Sequence, residues 1–165
     1  MQFSIGDSVV HSMYGLGEII DIEERTLAGQ KILYYMVKIQ DLTVCVPADA
    51  SVKGRLRSPT PQSEFIKLFA ILSGPGQSLP GDRFERRTQL HQKLEDGKIE
   101  AVCGVIRDLF SFEQIKRLND YDKNILDRAW NSLRGEWGFS LSVPLAQVEF
   151  ELRRLLIHPP APAAS

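Results

Sequence analysis

The sequence predicts an α+β protein: a small curled β-barrel over residues 1–57, then an all-helical bundle over residues 58–157. Three observations carry that prediction. Up to Pro47 the chain reads as short runs rich in β-branched and aromatic residues, separated by glycine and aspartate turns. Beyond Thr60 the apolar residues recur at helical spacing. In that second block proline and glycine fall where helices start and stop.

Each element of the first block has a local cause. Phe3-Ser4-Ile5 leads into a Gly6-Asp7 turn and a strand around Val9-Val10. Tyr14-Gly15-Leu16-Gly17 supplies a bend, its glycines allowing a sharp corner or close backbone approach, before Ile19 to Ile22. Gly29 turns the chain into the Ile32–Ile39 strand, and Asp41 turns it again into Leu42-Thr43-Val44-Cys45-Val46, which Pro47 ends. Four or five short strands of this kind close most economically as a barrel. Such a barrel often leaves an edge strand open to a partner's strand. Leu42 to Val46 is the candidate; internal cover of that strand is the equal alternative.

In the second block Thr60-Pro61 reads as an N-cap with proline at the first helical position. Phe65, Leu68, Phe69 and Leu72 follow as an amphipathic stripe, stopped by Gly74-Pro75-Gly76. A second helix is expected from Gly81 to Glu95. Gly97 separates it from a third, bearing Ile99, Val102, Cys103, Ile106, Leu109 and Phe110. Ser111 with Gln114 resembles a capping box for a short helix, and Asn119 with Asp122 resembles another. Ile125, Leu126, Ala129, Trp130 and Leu133 then face inward, with Trp130 read as core. A last helix after Pro144 buries Leu145, Val148, Leu152 and Leu155 or Leu156. The tail, 158–165, rich in proline and alanine, is expected to be disordered.

Composition limits the function classes. The chain has 165 residues and a formal net charge of -1. Residues 1–58 carry six Lys/Arg against seven Asp/Glu, and 59–157 carry fourteen of each, so any nucleic-acid contact must come from a local patch. Cys45 and Cys103 make no disulfide framework and no zinc spacing, which fits a reducing, cytoplasmic setting. Neither a signal peptide nor a membrane span is expected. His11, His91 and His158 lack ligand spacing, and Gly15-Leu16-Gly17 is too short for a nucleotide loop. No enzyme signature, metal site or cofactor is expected.

One face of the second helix stands out. Leu90 and Leu94 define its inward stripe, and Phe84 lies roughly 100° from the middle of that stripe. Arg83, Arg86 and Arg87 surround it. An aromatic beside guanidinium groups can do two jobs on nucleic acid: the arginines hold phosphates or enter the minor groove, and the ring wedges against or between bases. Periodicity alone favours the blander reading, in which Phe84 staples the helix start onto Leu79 or the first block and the arginines are solvated surface.

The chain resembles the CarD/CdnL family of bacterial RNA polymerase-binding transcription factors over roughly residues 1–156. The likeness runs through Phe3-x-Ile5-Gly6-Asp7-x-Val9-Val10, Gly15, Ile22-Glu23-x-Arg25-Thr26, Gly29, Tyr34, Lys38 and Leu42-Thr43-Val44-x-Val46-Pro47. It continues with Arg86-Arg87, Leu94-x-x-Gly97 and Val105-x-Arg107-Asp108-Leu109. The resemblance implies that the first unit is a Tudor-like β-barrel gripping the polymerase β subunit. Its contact set would be Arg25, Leu42, Thr43, Val44, Cys45 and Val46. Cys45 falls where some relatives have an arginine, a change that removes a charge and up to five donors. The resemblance places a DNA-wedging tryptophan of the family at Phe84, and a basic residue at Gln89. DNA contact would then rest on Arg83, Phe84, Arg86 and Arg87. The implied function is a monomeric, non-enzymatic factor that stabilises the open promoter complex at the upstream bubble edge. The alternative is a polymerase-bound adaptor whose helices recruit another protein.

Overall fold

The computed structural model describes residues 2–157; the expected disordered tail, 158–165, lies outside the described residues. Within the described residues, five antiparallel strands form the first unit: β1 (Ser8–His11), β2 (Gly15–Leu27), β3 (Gln30–Ile39), β4 (Leu42–Pro47) and β5 (Leu56–Arg57). Their order is β4-β3-β2-β1-β5, and β4 does not pair with β5. The expected barrel is therefore wrong: this is an open, curled sheet with two edges. The reason is local. Closure needs β5 to run along β4, but β5 has two residues and both pair with β1. β4 ends at Pro47, which has no N–H to donate, and the chain leaves it for a 3-10 turn, Ala50–Val52.

The expected turns are present. Leu27 pairs with Gln30 across Ala28 and Gly29, both at positive φ (50° and 79°), the geometry a two-residue hairpin requires. A register shift between Ile19 and Asp21 bends β2. At Gly17 a Cβ would meet the Lys38 carbonyl oxygen at 2.7 Å, so β2 and β3 approach more closely than any side chain would allow. One face of the sheet is the core, with Phe3, Val9, Ile19, Tyr35, Val37, Ile39, Val46 and Leu56 buried.

Six helices follow within the described residues: α1 (Gln62–Phe65), α2 (Leu68–Leu72), α3 (Arg83–Leu94), α4 (Ile99–Glu113), α5 (Asp120–Leu141) and α6 (Leu145–Ile157). Asn119 and Asp122 form the expected reciprocal capping box at the start of α5. Trp130 packs against the core but is only half-buried, its indole N–H donated to Glu149 at 2.7 Å, and Trp137 is the more deeply buried tryptophan, packed on Phe65 and Phe69. Two local expectations need correcting. Ser111 lies inside α4 and starts no helix. Leu145 is exposed, so Val148 and Leu152 anchor α6.

Thr60 is also not a helix cap; it serves the junction between sheet and helices. Its N–H and hydroxyl both donate to Glu136, at 2.8 and 2.7 Å. Arg57, on the last strand, donates two 2.7 Å bonds to the same carboxylate and a third bond, at 2.9 Å, to the Gly97 carbonyl. Glu136 is 0% exposed. A buried carboxylate is tolerable because four donors satisfy it. Gly15 (φ 90°) adds close contact, its Cβ position lying 3.4 Å from the Ser132 backbone. We expect Glu136→Ala to lower unfolding free energy by about 2–3 kcal/mol, the scale of hydrogen bonds to a charged group. Urea denaturation checks this; an unchanged midpoint would mean the junction contributes nothing to stability.

Candidate polymerase and DNA interfaces

One sheet edge is formed by β4, which among the described residues pairs only with β3. Register places Tyr34 opposite Pro47 and Met36 opposite Cys45, on the face away from the core. Arg25 reaches over the same outer face. Its guanidinium lies 5.7 Å from the Tyr34 ring centroid and 3.2 Å from Glu23. The Cys45 thiol sits 3.5 Å from the Met36 sulfur. Leu42, Thr43 and Cys45 are exposed and Val44 is half-buried. Val46 is 1% exposed and belongs to the core, so only its backbone is at the edge. Its side chain therefore leaves the expected contact set. Alternation alone does not tell which face of an edge strand is covered.

The second site is built at the start of α3. Asp82 caps the helix, accepting from the N–H groups of Phe84 and Glu85 at 3.1 and 2.9 Å. Phe84 is 61% exposed, and Arg83 and Arg87 are exposed with it. The Arg83 guanidinium lies 4.8 Å from its ring centroid. Arg87 stacks on Tyr121 at 3.8 Å, and the His91 ring nitrogen approaches the Tyr121 hydroxyl at 3.4 Å.

Arg86 behaves differently. It is 4% exposed and clamped by Asp122: Nη2 donates at 2.9 Å, and Nε lies at 3.1 and 3.2 Å from the two carboxylate oxygens. Its Nη1 donates to the carbonyls of Pro80 and Gly81, and its plane covers Phe112 at 4.8 Å. Buried, and with Nε and both terminal nitrogens donating within the protein, it is not placed to reach a phosphate. Arg86 therefore leaves the expected DNA set and becomes the residue that fixes where α3 begins. Asp108, also buried, accepts from Arg107 and from the N–H of Gln77, tying down the segment before α3.

Two further groups emerge only in three dimensions. Tyr121 and Arg128 on α5 share the surface of Arg87, but their pairing with α3 is a tertiary fact. His11 is the other. Its Nδ1 accepts from the N–H groups of Met13 and Tyr14 at 3.0 and 3.3 Å, so a ring protonated there would break the turn that follows β1. Burial first, and Arg55 second, lower the His11 pKa below its ordinary value. In that case the unfolded chain takes up the proton before the folded one, and stability falls as pH drops through the ordinary histidine range. We expect the stability difference between wild type and His11→Asn to shrink from pH 8 to pH 5 in parallel urea titrations. A pH-independent difference would contradict the neutral acceptor.

An open sheet edge and, across the Glu136 junction, a helix start that displays an exposed aromatic flanked by arginines are surfaces suited to binding rather than to catalysis. Among the described residues no helix is long and apolar enough to cross a membrane. The CarD-like/TRCF RID domain family matches residues 3–58, and the CarD C-terminal domain family matches residues 67–153. The chain is 30% identical over 137 residues to a Bacillus subtilis (strain 168) protein named "Putative transcription factor YdeB", covering 81% of this chain and 89% of that protein. The chain belongs to the CarD family. It is a non-enzymatic transcription factor of the class that binds RNA polymerase and stabilises the open promoter complex.

Proposed function

We propose that residues 1–57 dock on the polymerase β subunit through the free edge of β4, and that residues 58–157 carry the DNA contact. Exposed Leu42, Thr43 and Cys45, with half-buried Val44 and neighbouring Arg25, form the docking surface. The unpaired backbone of the edge offers hydrogen bonds to a partner strand. A charge placed on an edge strand opposes strand addition. Leu42→Asp should therefore weaken polymerase binding about fivefold or more, the loss of roughly 1 kcal/mol. Surface-immobilised polymerase reports this directly, and unchanged binding by a folded variant would move the docking surface elsewhere.

The observation that carries the DNA half is the exposed ring of Phe84 on a helix start whose position is set by the Asp82 cap and the Arg86–Asp122 clamp. Phe84 occupies the upstream edge of the bubble as a wedge, and Arg83 and Arg87 hold the phosphates. Phenylalanine keeps an apolar, stackable ring where relatives use tryptophan, with less area and no indole N–H. A wedge favours opening only if it binds the open state better than the closed one. Docking on polymerase supplies the local concentration that weak contacts need. The test is open-complex lifetime with cognate polymerase, comparing no factor, wild type and Phe84→Ala.

One observation favours the protein-recruiting alternative. Phe150, on α6, is 67% exposed, with Ile157 exposed further along the helix. If Phe150→Ala abolished the lifetime effect and Phe84→Ala left it intact, that reading would replace the wedge.

A further inference from the structure

We infer that the groove between α3, α5 and the turn after β1 receives one unpaired nucleotide of the promoter strand next to the Phe84 wedge. This rests on the DNA reading of α3 given above and adds a second contact to it. The groove has a volume of about 590 Å³. That is room for a nucleotide-sized group in a groove open to solvent. Its floor is apolar, from Leu94, Val102, Ile125 and Ala129. Its mouth carries Arg87 on one wall and Arg128 on the other, with His91 beside Arg87 and the acid Glu95 on the α3 side. Thr88 and Gln92 supply hydrogen-bonding atoms along the α3 wall, and Met13, 52% exposed, closes the end nearest the sheet.

The pattern matches a nucleotide in pieces. Two guanidinium groups across a gap suit a phosphate. An apolar floor with a polarisable thioether suits the flat face of a base. Polar side chains on one wall suit the base edge. Continuity with Phe84 decides for a DNA strand over an acidic peptide. Phe84 and Arg87 are three residues apart on α3 and so are neighbours on its surface. The Arg87–Tyr121 stack, at 3.8 Å, bridges from α3 to α5. A strand held open by the wedge therefore passes directly into the groove. A paired base cannot enter, so occupancy belongs to the open complex alone and adds to its differential stabilisation.

The experiment uses full-length factor, cognate polymerase and promoter DNA carrying a photoreactive base stepped along each strand at the upstream bubble edge. We expect an unpaired base to cross-link to the peptide containing Met13 or Arg128, and Thr88→Glu, an exposed substitution at the mouth, to abolish that cross-link. We also expect Arg128→Ala to shorten open-complex lifetime and to reduce its log–log salt slope by about one, as loss of one phosphate contact does. Phe84→Ala should leave the salt slope unchanged. If cross-links form only near Phe84, and Arg128→Ala matches wild type, the groove proposal is overturned while the wedge stands. If neither Phe84→Ala nor Arg128→Ala alters lifetime, the DNA reading falls, and the groove with it. Cross-links from Met13 to polymerase protein would make the groove a peptide site and overturn the nucleotide assignment.

Discussion

Open complexes formed with the Phe84→Ala variant should decay several-fold or more faster than those formed with wild-type factor, while polymerase binding stays at the wild-type level. The expected loss is about 1–3 kcal/mol, the range measured when an aromatic that stacks on a base is cut to alanine. The ring is 61% exposed and covers little of the protein core, so its removal should barely alter folding stability. Phe84→Trp supplies the opposite sign. Restoring the larger ring at a site with open space around it should lengthen the lifetime beyond wild type. A lifetime that is the same in alanine, phenylalanine and tryptophan variants would remove the wedge from the mechanism.

Asp122→Ala should destabilise the fold more than Glu136→Ala, Asp82→Ala or Phe84→Ala. Arg86 and Asp122 have side chains 4% and 2% exposed, and truncating the acid leaves a buried guanidinium with no counter-charge. Breaking such a pair costs about 3–5 kcal/mol. For a domain of this size that corresponds to a fall in Tm of roughly 6–20 °C. Asp122 also closes the α5 capping box through its contact with the N–H of Asn119, at 3.3 Å, which adds to the loss. The paired change Arg86→Met with Asp122→Leu should recover a large part of the stability, because no charge is then left buried. Asp82→Ala, which removes only the α3 cap, should cost about 1 kcal/mol. Thermal denaturation ranks the three variants. If Asp122→Ala were as mild as Asp82→Ala, the clamp would not be what positions α3. Because α3 is anchored through Arg86 to Asp122 and to the carbonyls of Pro80 and Gly81, Asp122→Ala should also blunt the lifetime effect with Phe84 still in place.

Arg86 and Arg87 show where sequence reading stops. They are adjacent, identical in type, and both belong to the family motif. One is buried on Asp122, 36 residues away, and the other stacks on Tyr121 at the surface. Helical periodicity says that neighbours point about 100° apart. It does not say which direction another helix will cover. The same gap explains why Trp137 is buried more deeply than Trp130. They lie seven residues apart on one side of α5, and only the placement of α1 and α2 decides that Trp137 meets Phe65 and Phe69. Phe84 is half legible: its offset from the Leu90–Leu94 stripe is visible in the sequence, but its exposure depends on what α3 packs against.

The division into a β unit and a helical unit, the turns at Gly6, Gly29 and Asp41, the Asn119–Asp122 cap and, through the motifs, the family are all written in the linear chain. These features follow from forces acting within a few residues: backbone conformational preference, short-range hydrogen bonds and the spacing of apolar side chains. Four others exist only once the chain has packed. The sheet stays open, Glu136 gathers Arg57 and Thr60 across the junction, Arg86 becomes a clamp, and Arg87, Tyr121 and Arg128 share one surface. Each depends on partners tens of residues apart, and buried charges choose those partners by the need to leave no polar group unpaired once water is gone.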